Sequence, residues 1–99
     1  MPHEVKQKQL EAFIIELLSR KHSIKTANIR PDSYIATELG VDGDDAWELL
    51  TDLEARYQVN LEDVFLKNFW PEAGLMKSSR VVPISVAELS EIIRVRVES

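Results

Sequence analysis

The sequence predicts an all-α domain of four helices, and three observations carry that expectation. Apolar residues recur at helical spacing in the first and central parts of the chain. Two further stretches begin with capping signals, Asn60 ahead of one apolar-periodic run and Ser85-Val86-Ala87-Glu88 ahead of another. The breaks between these stretches fall at Pro31, at Pro71 and Gly74, and at Pro83, where helix cannot easily continue. With 99 residues, 44% hydrophobic and 29% charged, the chain is one globular domain able to bury a modest core without covalent staples.

The first helix is expected over residues 4–22. Leu10, Phe13, Ile14, Leu17 and Leu18 form its apolar stripe, and Arg20, Lys21 and His22 place positive charge at the carboxyl end, where the helix dipole favours it. His22 reads as a C-terminal helix residue and not as a catalytic group, because His3 is the only other histidine and no partner is placed by sequence.

Residues 23–41 are expected to form a long connection. Arg30-Pro31 favours extended backbone, and Asp32-Ser33 can start a short turn. Ile24, Ile29, Tyr34, Ile35, Leu39 and Val41 are spaced to pin this loop onto the helices beneath it.

The central helix starts from Asp44 or Asp45. With Asp45 as N-cap, Glu48 completes an Asp-x-x-Glu capping box, and the carboxylates gather at the favourable end of the dipole. Ala46, Leu50, Leu53 and Tyr57 form the inward stripe, Asp44, Glu48, Thr51 and Ala55 the opposite side, and Trp47 the flank. A short third helix follows over 61–69, with Asn60 as N-cap, Asp63 in its first turn and Leu61, Val64, Phe65 and Phe69 facing inward. Residues 71–84 read as irregular, with a short extended piece at 80–82. The Ser85 capping box opens a last helix that turns Val86, Leu89, Ile92 and Ile93 inward. Its end within 94–99 stays open, because Val95 and Val97 alternate with Arg96 as in a strand.

Charge is unevenly distributed. Nine acids (Glu38, Asp42, Asp44, Asp45, Glu48, Asp52, Glu54, Glu62, Asp63) and one base, Arg56, lie between residues 38 and 63, so this segment is strongly negative within a chain of net charge -5. Such a surface repels nucleic-acid phosphates and anionic lipid and attracts basic protein patches. With no apolar run long enough for a bilayer, no apolar leader after Met1 and no cysteine, a cytoplasmic protein without disulfides or thiolate chemistry is expected. Asp42 and Asp44 begin like a calcium loop, but Ala46, Trp47 and Leu53 occupy positions that the loop needs for a ligand, a glycine and a glutamate. No metal site is expected. Nor is there a Ser-His-Asp arrangement, a phosphate-cradling glycine loop or a reason for the acids to split their pKa values, so no enzyme activity is expected.

The order of elements, with Leu39-Gly40-Val41-Asp42 introducing the acidic helix, resembles an acyl carrier protein. In that family the segment reads Leu-Gly-x-Asp-Ser-Leu, and a phosphopantetheine arm is attached to the serine. Glu48-Leu49, Leu53-Glu54, Tyr57 and the Ser85-Val86 start of the last helix are also similar, with 71–83 resembling an insertion before that helix. Gly43 to Glu48 and the Asn68-Phe69-Trp70-Pro71 region resemble a little-characterised bacterial group of carrier-like proteins of unknown function. The resemblance implies an acyl-carrier-like four-helix bundle.

One departure decides the chemistry. Gly43 stands where the family has serine, between Asp42 and Asp44, and a phosphodiester needs a side-chain oxygen that glycine lacks. Thr37 and Thr51 are six and eight residues away. The expected protein carries no cofactor and acts by docking Asp44, Asp45, Trp47, Glu48, Thr51 and Asp52 on a basic patch of a protein partner. The alternatives are a working carrier modified at an unusual residue and a helical bundle whose acids hold a cation. Trp47 reads either as an interface anchor or as a half-buried flank residue, and Trp70 as a core residue under the loop that follows it.

Overall fold

Leu10, Ile14, Leu17 and Leu18 recur at i, i+4, i+7 and i+8, and these four are the buried residues of helix α1, Gln7–His22. The computed structural model of the chain describes residues 6–70 and 82–98, which hold three further α-helices: α2 (Gly43–Tyr57), α3 (Glu62–Asn68) and α4 (Val86–Glu98). A single 3-10 turn, Thr26–Asn28, breaks the long connection between α1 and α2. The all-α, four-helix expectation therefore holds, and among the described residues no helix is long and apolar enough to cross a membrane. The expected first residues of α1 and the expected extended piece and irregular stretch at 71–81 lie outside the described residues.

α1 packs chiefly along α4, and α2 is followed by its neighbour α3. The join between α1 and α4 is also polar at one end, where Gln7 Nε2 donates to the Ala87 carbonyl at 3.0 Å and to Glu11 Oε2 at 2.9 Å. α4 starts as its sequence demands. The Glu88 N–H donates to Ser85 Oγ at 3.1 Å and the Ser85 N–H donates to Glu88 Oε1 at 2.8 Å, so two N–H groups that a helix end would orphan are satisfied reciprocally. The alternation of Val95, Arg96 and Val97 does not become a strand, because α4 continues to Glu98 and turns Val97 toward the core while Val95 stays exposed.

The long connection is held to the start of α4 by main-chain bonds. Ile35 N–H donates to Ile84 O, Val86 N–H to Ser33 O and Ala87 N–H to Pro31 O, with an isolated antiparallel bridge between Tyr34 and Ser85. Ile29, Ile35 and Val41 are buried and Ile24 and Leu39 are packed against the core, but Tyr34 is exposed. Its backbone is the pinning element, so its side chain is free to face water.

Two details of α2 and α3 differ from the sequence expectation. α2 begins before Asp44: the Asp42 carbonyl accepts from Asp45 N–H at 3.2 Å and Ala46 N–H at 3.4 Å, which makes Asp42 the N-cap and leaves no Asp45–Glu48 capping box. Its buried face is also broader, since Leu49 joins Ala46, Leu50 and Leu53 while Tyr57 is only partly buried. α3 begins one residue later than expected, at Glu62, with Leu61 at the N-cap, but Asn60 still serves its entry because Asn60 Oδ1 accepts from the Glu62 N–H at 2.9 Å. Leu61, Val64, Phe65 and Phe69 all face the core as expected.

Candidate functional site

The approach to α2 is built from a tight succession of turns over 34–43. Leu39 N–H donates to Tyr34 O, Gly40 N–H to Ala36 O and Val41 N–H to Ile35 O, and this winding requires φ +72° at Gly40. Val41 is buried beneath it, and Gly43 then takes φ +57° as the first residue of α2. Gly43 N–H points to the Phe69 carbonyl at 3.4 Å, so the start of α2 lies against the end of α3. Among the described residues a Cβ added at Gly43 would meet no heavy atom within 4 Å, so space is open and it is the left-handed backbone that disfavours a side chain there.

The acids around this point fall into two groups. Four of the nine have structural partners: Glu38 Oε1 accepts the Tyr34 N–H at 2.8 Å, Glu54 Oε2 accepts the Leu61 N–H at 2.6 Å, Asp52 pairs with Lys21 Nζ at 2.8 Å, and both Asp63 oxygens receive Arg96. The hydrogen bond and charge of Asp52 raise the Lys21 ammonium pKa, with Glu48 adding to the same field. The Arg96 guanidinium, which also donates to the Asn60 carbonyl at 2.6 Å, holds the Asp63 carboxyl below its ordinary value and ties α3 to α4. By contrast Asp44, Asp45 and Glu48 are exposed and make no side-chain hydrogen bond or close ion pair among the described residues. Thr51 is exposed on the same helix. The sequence-derived docking set is thus brought together on α2, with Asp52 engaged sideways by α1.

Trp47 is 49% exposed and packs its edge on Phe65, ring centroids 5.0 Å apart at 73°. Trp70, expected to be covered, is instead 39% exposed and lies on the same Phe65 ring at 5.4 Å and 46°. The sequence contained the two tryptophans but no local signal that one phenylalanine would carry both.

Among the described residues no three acids or histidines converge to hold a metal ion. His22 ends α1 as expected, and its Nε2 has no hydrogen-bond partner among the described residues. The serine nearest to the site in the preceding loop, Ser33, is buried, and its Oγ accepts from the Arg30 N–H at 2.9 Å.

The family model described as "Protein of unknown function (DUF1493)" matches residues 3–98. The chain is 36% identical over 56 residues to the acyl carrier protein of Aster yellows witches'-broom phytoplasma (strain AYWB), a match that covers 57% of this chain and 74% of that protein. It is 34% identical over 53 residues to the acyl carrier protein of Onion yellows phytoplasma (strain OY-M), covering 54% of this chain and 70% of that one. No solved structure matches.

Proposed function

Because the chain belongs to the DUF1493 family, whose function is unknown, and is distantly similar to acyl carrier proteins over about half its length, we propose that it is a carrier-like docking protein without a prosthetic arm. The observation that carries this reading is Gly43. It stands at the first position of α2, where the carrier motif places its serine, and offers no oxygen for a phosphodiester. The positive φ supports the same reading, since an L-residue adopts this backbone at a cost. The protein performs no catalysis and acts in the cytoplasm by contact, with Asp44, Asp45, Glu48, Thr51 and Trp47 of α2 facing a basic patch on a protein partner.

Modification at another hydroxyl is the competing reading. The buried and hydrogen-bonded state of Ser33 speaks against that residue.

Affinity capture from the native cell identifies the partner, and association kinetics then test the surface. Glu48→Gln with Asp45→Asn should weaken binding while circular dichroism stays unchanged, because exposed substitutions typically cost within about 0.5 kcal/mol of stability each. Association should slow as salt rises, since charges at an interface rim act mainly on encounter. Asp52 is left intact in this test because a lysine there would face Lys21. Unchanged binding by the folded double variant would remove the acidic face from the mechanism.

A further inference from the structure

We propose that the surface formed by Trp47 and Trp70 over Phe65 receives an arginine side chain from the protein partner, an assignment that rests on the docking role of α2 given above. The two indoles come from different elements, one from α2 and one from the residue that follows the α3 C-cap, and each packs on the nearly buried Phe65 ring while leaving much of its own surface in water. Exposed aromatic groups gathered on one buried ring are a costly arrangement for a monomer and a common one at interfaces.

The charge around the patch selects the occupant. Asp44 lies one helical turn before Trp47 on α2 and Glu62 one turn before Phe65 on α3, against a single exposed base, Lys67, three residues before Trp70, so among the described residues the charge around the patch is net negative. Both acids are exposed, and neither carboxylate has an ion-pair partner among the described residues. A negative rim around aromatic surface suits a cation that is planar and weakly hydrated, which describes a guanidinium better than an ammonium. A second copy of this chain would instead bring acid against acid, and an anionic bilayer would be repelled. The fold uses the same pairing elsewhere: Arg56 holds its guanidinium 4.9 Å from the Phe13 ring centre and 6.0 Å from that of Tyr57. Arg56, the only base between residues 38 and 63, is therefore committed to α1 and does not cover Trp47.

The test is a nuclear magnetic resonance titration of the full chain with argininamide, lysinamide and citrullinamide, read at the two indole N–H resonances. The expected result is a saturable shift of both indoles in the order arginine, lysine, citrulline. The arginine affinity should fall about two- to fivefold in Trp47→Ala and in Trp47→Leu, the range for an exposed cation–π contact. Trp47→Leu preserves an apolar contact with Phe65 and so guards against a merely loosened fold. Equal shifts with lysinamide and argininamide, or an affinity indifferent to Trp47, overturn the proposal. So does self-association in sedimentation that Trp47→Ala abolishes, which would assign the patch to a second copy, and so does co-sedimentation with phosphatidylcholine vesicles. Failure here with intact dependence of partner binding on Glu48 would leave the docking role of α2 standing.

Discussion

Replacing Gly43 by serine restores the missing oxygen and simultaneously asks an L-residue to adopt φ +57°. Space is not the obstacle, because no heavy atom of the described residues lies within 4 Å of the added Cβ. The cost is in the backbone, roughly 1–2 kcal/mol for a left-handed L-residue. It is lessened by roughly 0.4–1 kcal/mol because serine narrows the unfolded ensemble relative to glycine. A net loss of about 1 kcal/mol is expected for Gly43→Ser and also for Gly43→Ala, which carries the same backbone penalty without the hydroxyl. In a domain of this size that corresponds to a fall of roughly 4–8 °C in Tm. Urea denaturation of the three proteins side by side measures it. A gain in stability would rule out the left-handed conformation at residue 43, and a loss above about 3 kcal/mol would reveal a clash. A serine that leaves alanine far behind would show that the hydroxyl finds a capping partner at the start of α2.

Leu53 is fully buried in the α2 face, so Leu53→Ala should cost about 2–5 kcal/mol in the same assay, and a cost below about 0.5 kcal/mol would place Leu53 outside the core. The Asp63–Arg96 pair gives a pH signature. Arg96 depresses the folded Asp63 pKa, so the pair's stabilisation is complete above the ordinary carboxylate range and is lost as pH falls through the folded value. Because the pair is partly exposed, Asp63→Asn should cost at most about 1 kcal/mol at neutral pH, a gap that closes as pH falls through the depressed folded value. A gap that widens in acid would contradict the sign of the shift.

Local patterns made most of the helical framework legible. The α1 stripe, the Ser85–Glu88 box and the inward residues of α3 each rest on spacing within a few residues, where helical geometry dictates which side chains meet. The start of α2 is not legible locally, because two aspartates offer rival caps, whereas the structure turns on how Gly40 and Gly43 wind the preceding chain. The exposure of Trp70 is hidden from the sequence for another reason. Its burial depends on which elements lie over the end of α3, and its ring partner Phe65 shares the surface with Trp47 from a different helix. The sorting of acids was also invisible, since Lys21 reaches Asp52 and Arg96 reaches Asp63 across long sequence separations. At the candidate site, the lack of the serine oxygen could be read directly from residue 43. The positive φ there and the packing of that residue against the α3 carboxyl end could not.

The measurement that bears most directly on the central claim is the intact mass of the purified wild-type chain before and after incubation with coenzyme A and a broad-specificity phosphopantetheinyl transferase, with an ordinary acyl carrier protein in the same tube as a positive control. With Gly43 at the start of α2, the mass of this chain should not change while the control is converted. A gain equal to one phosphopantetheine on the wild-type chain would contradict the account and establish a carrier that uses another attachment residue.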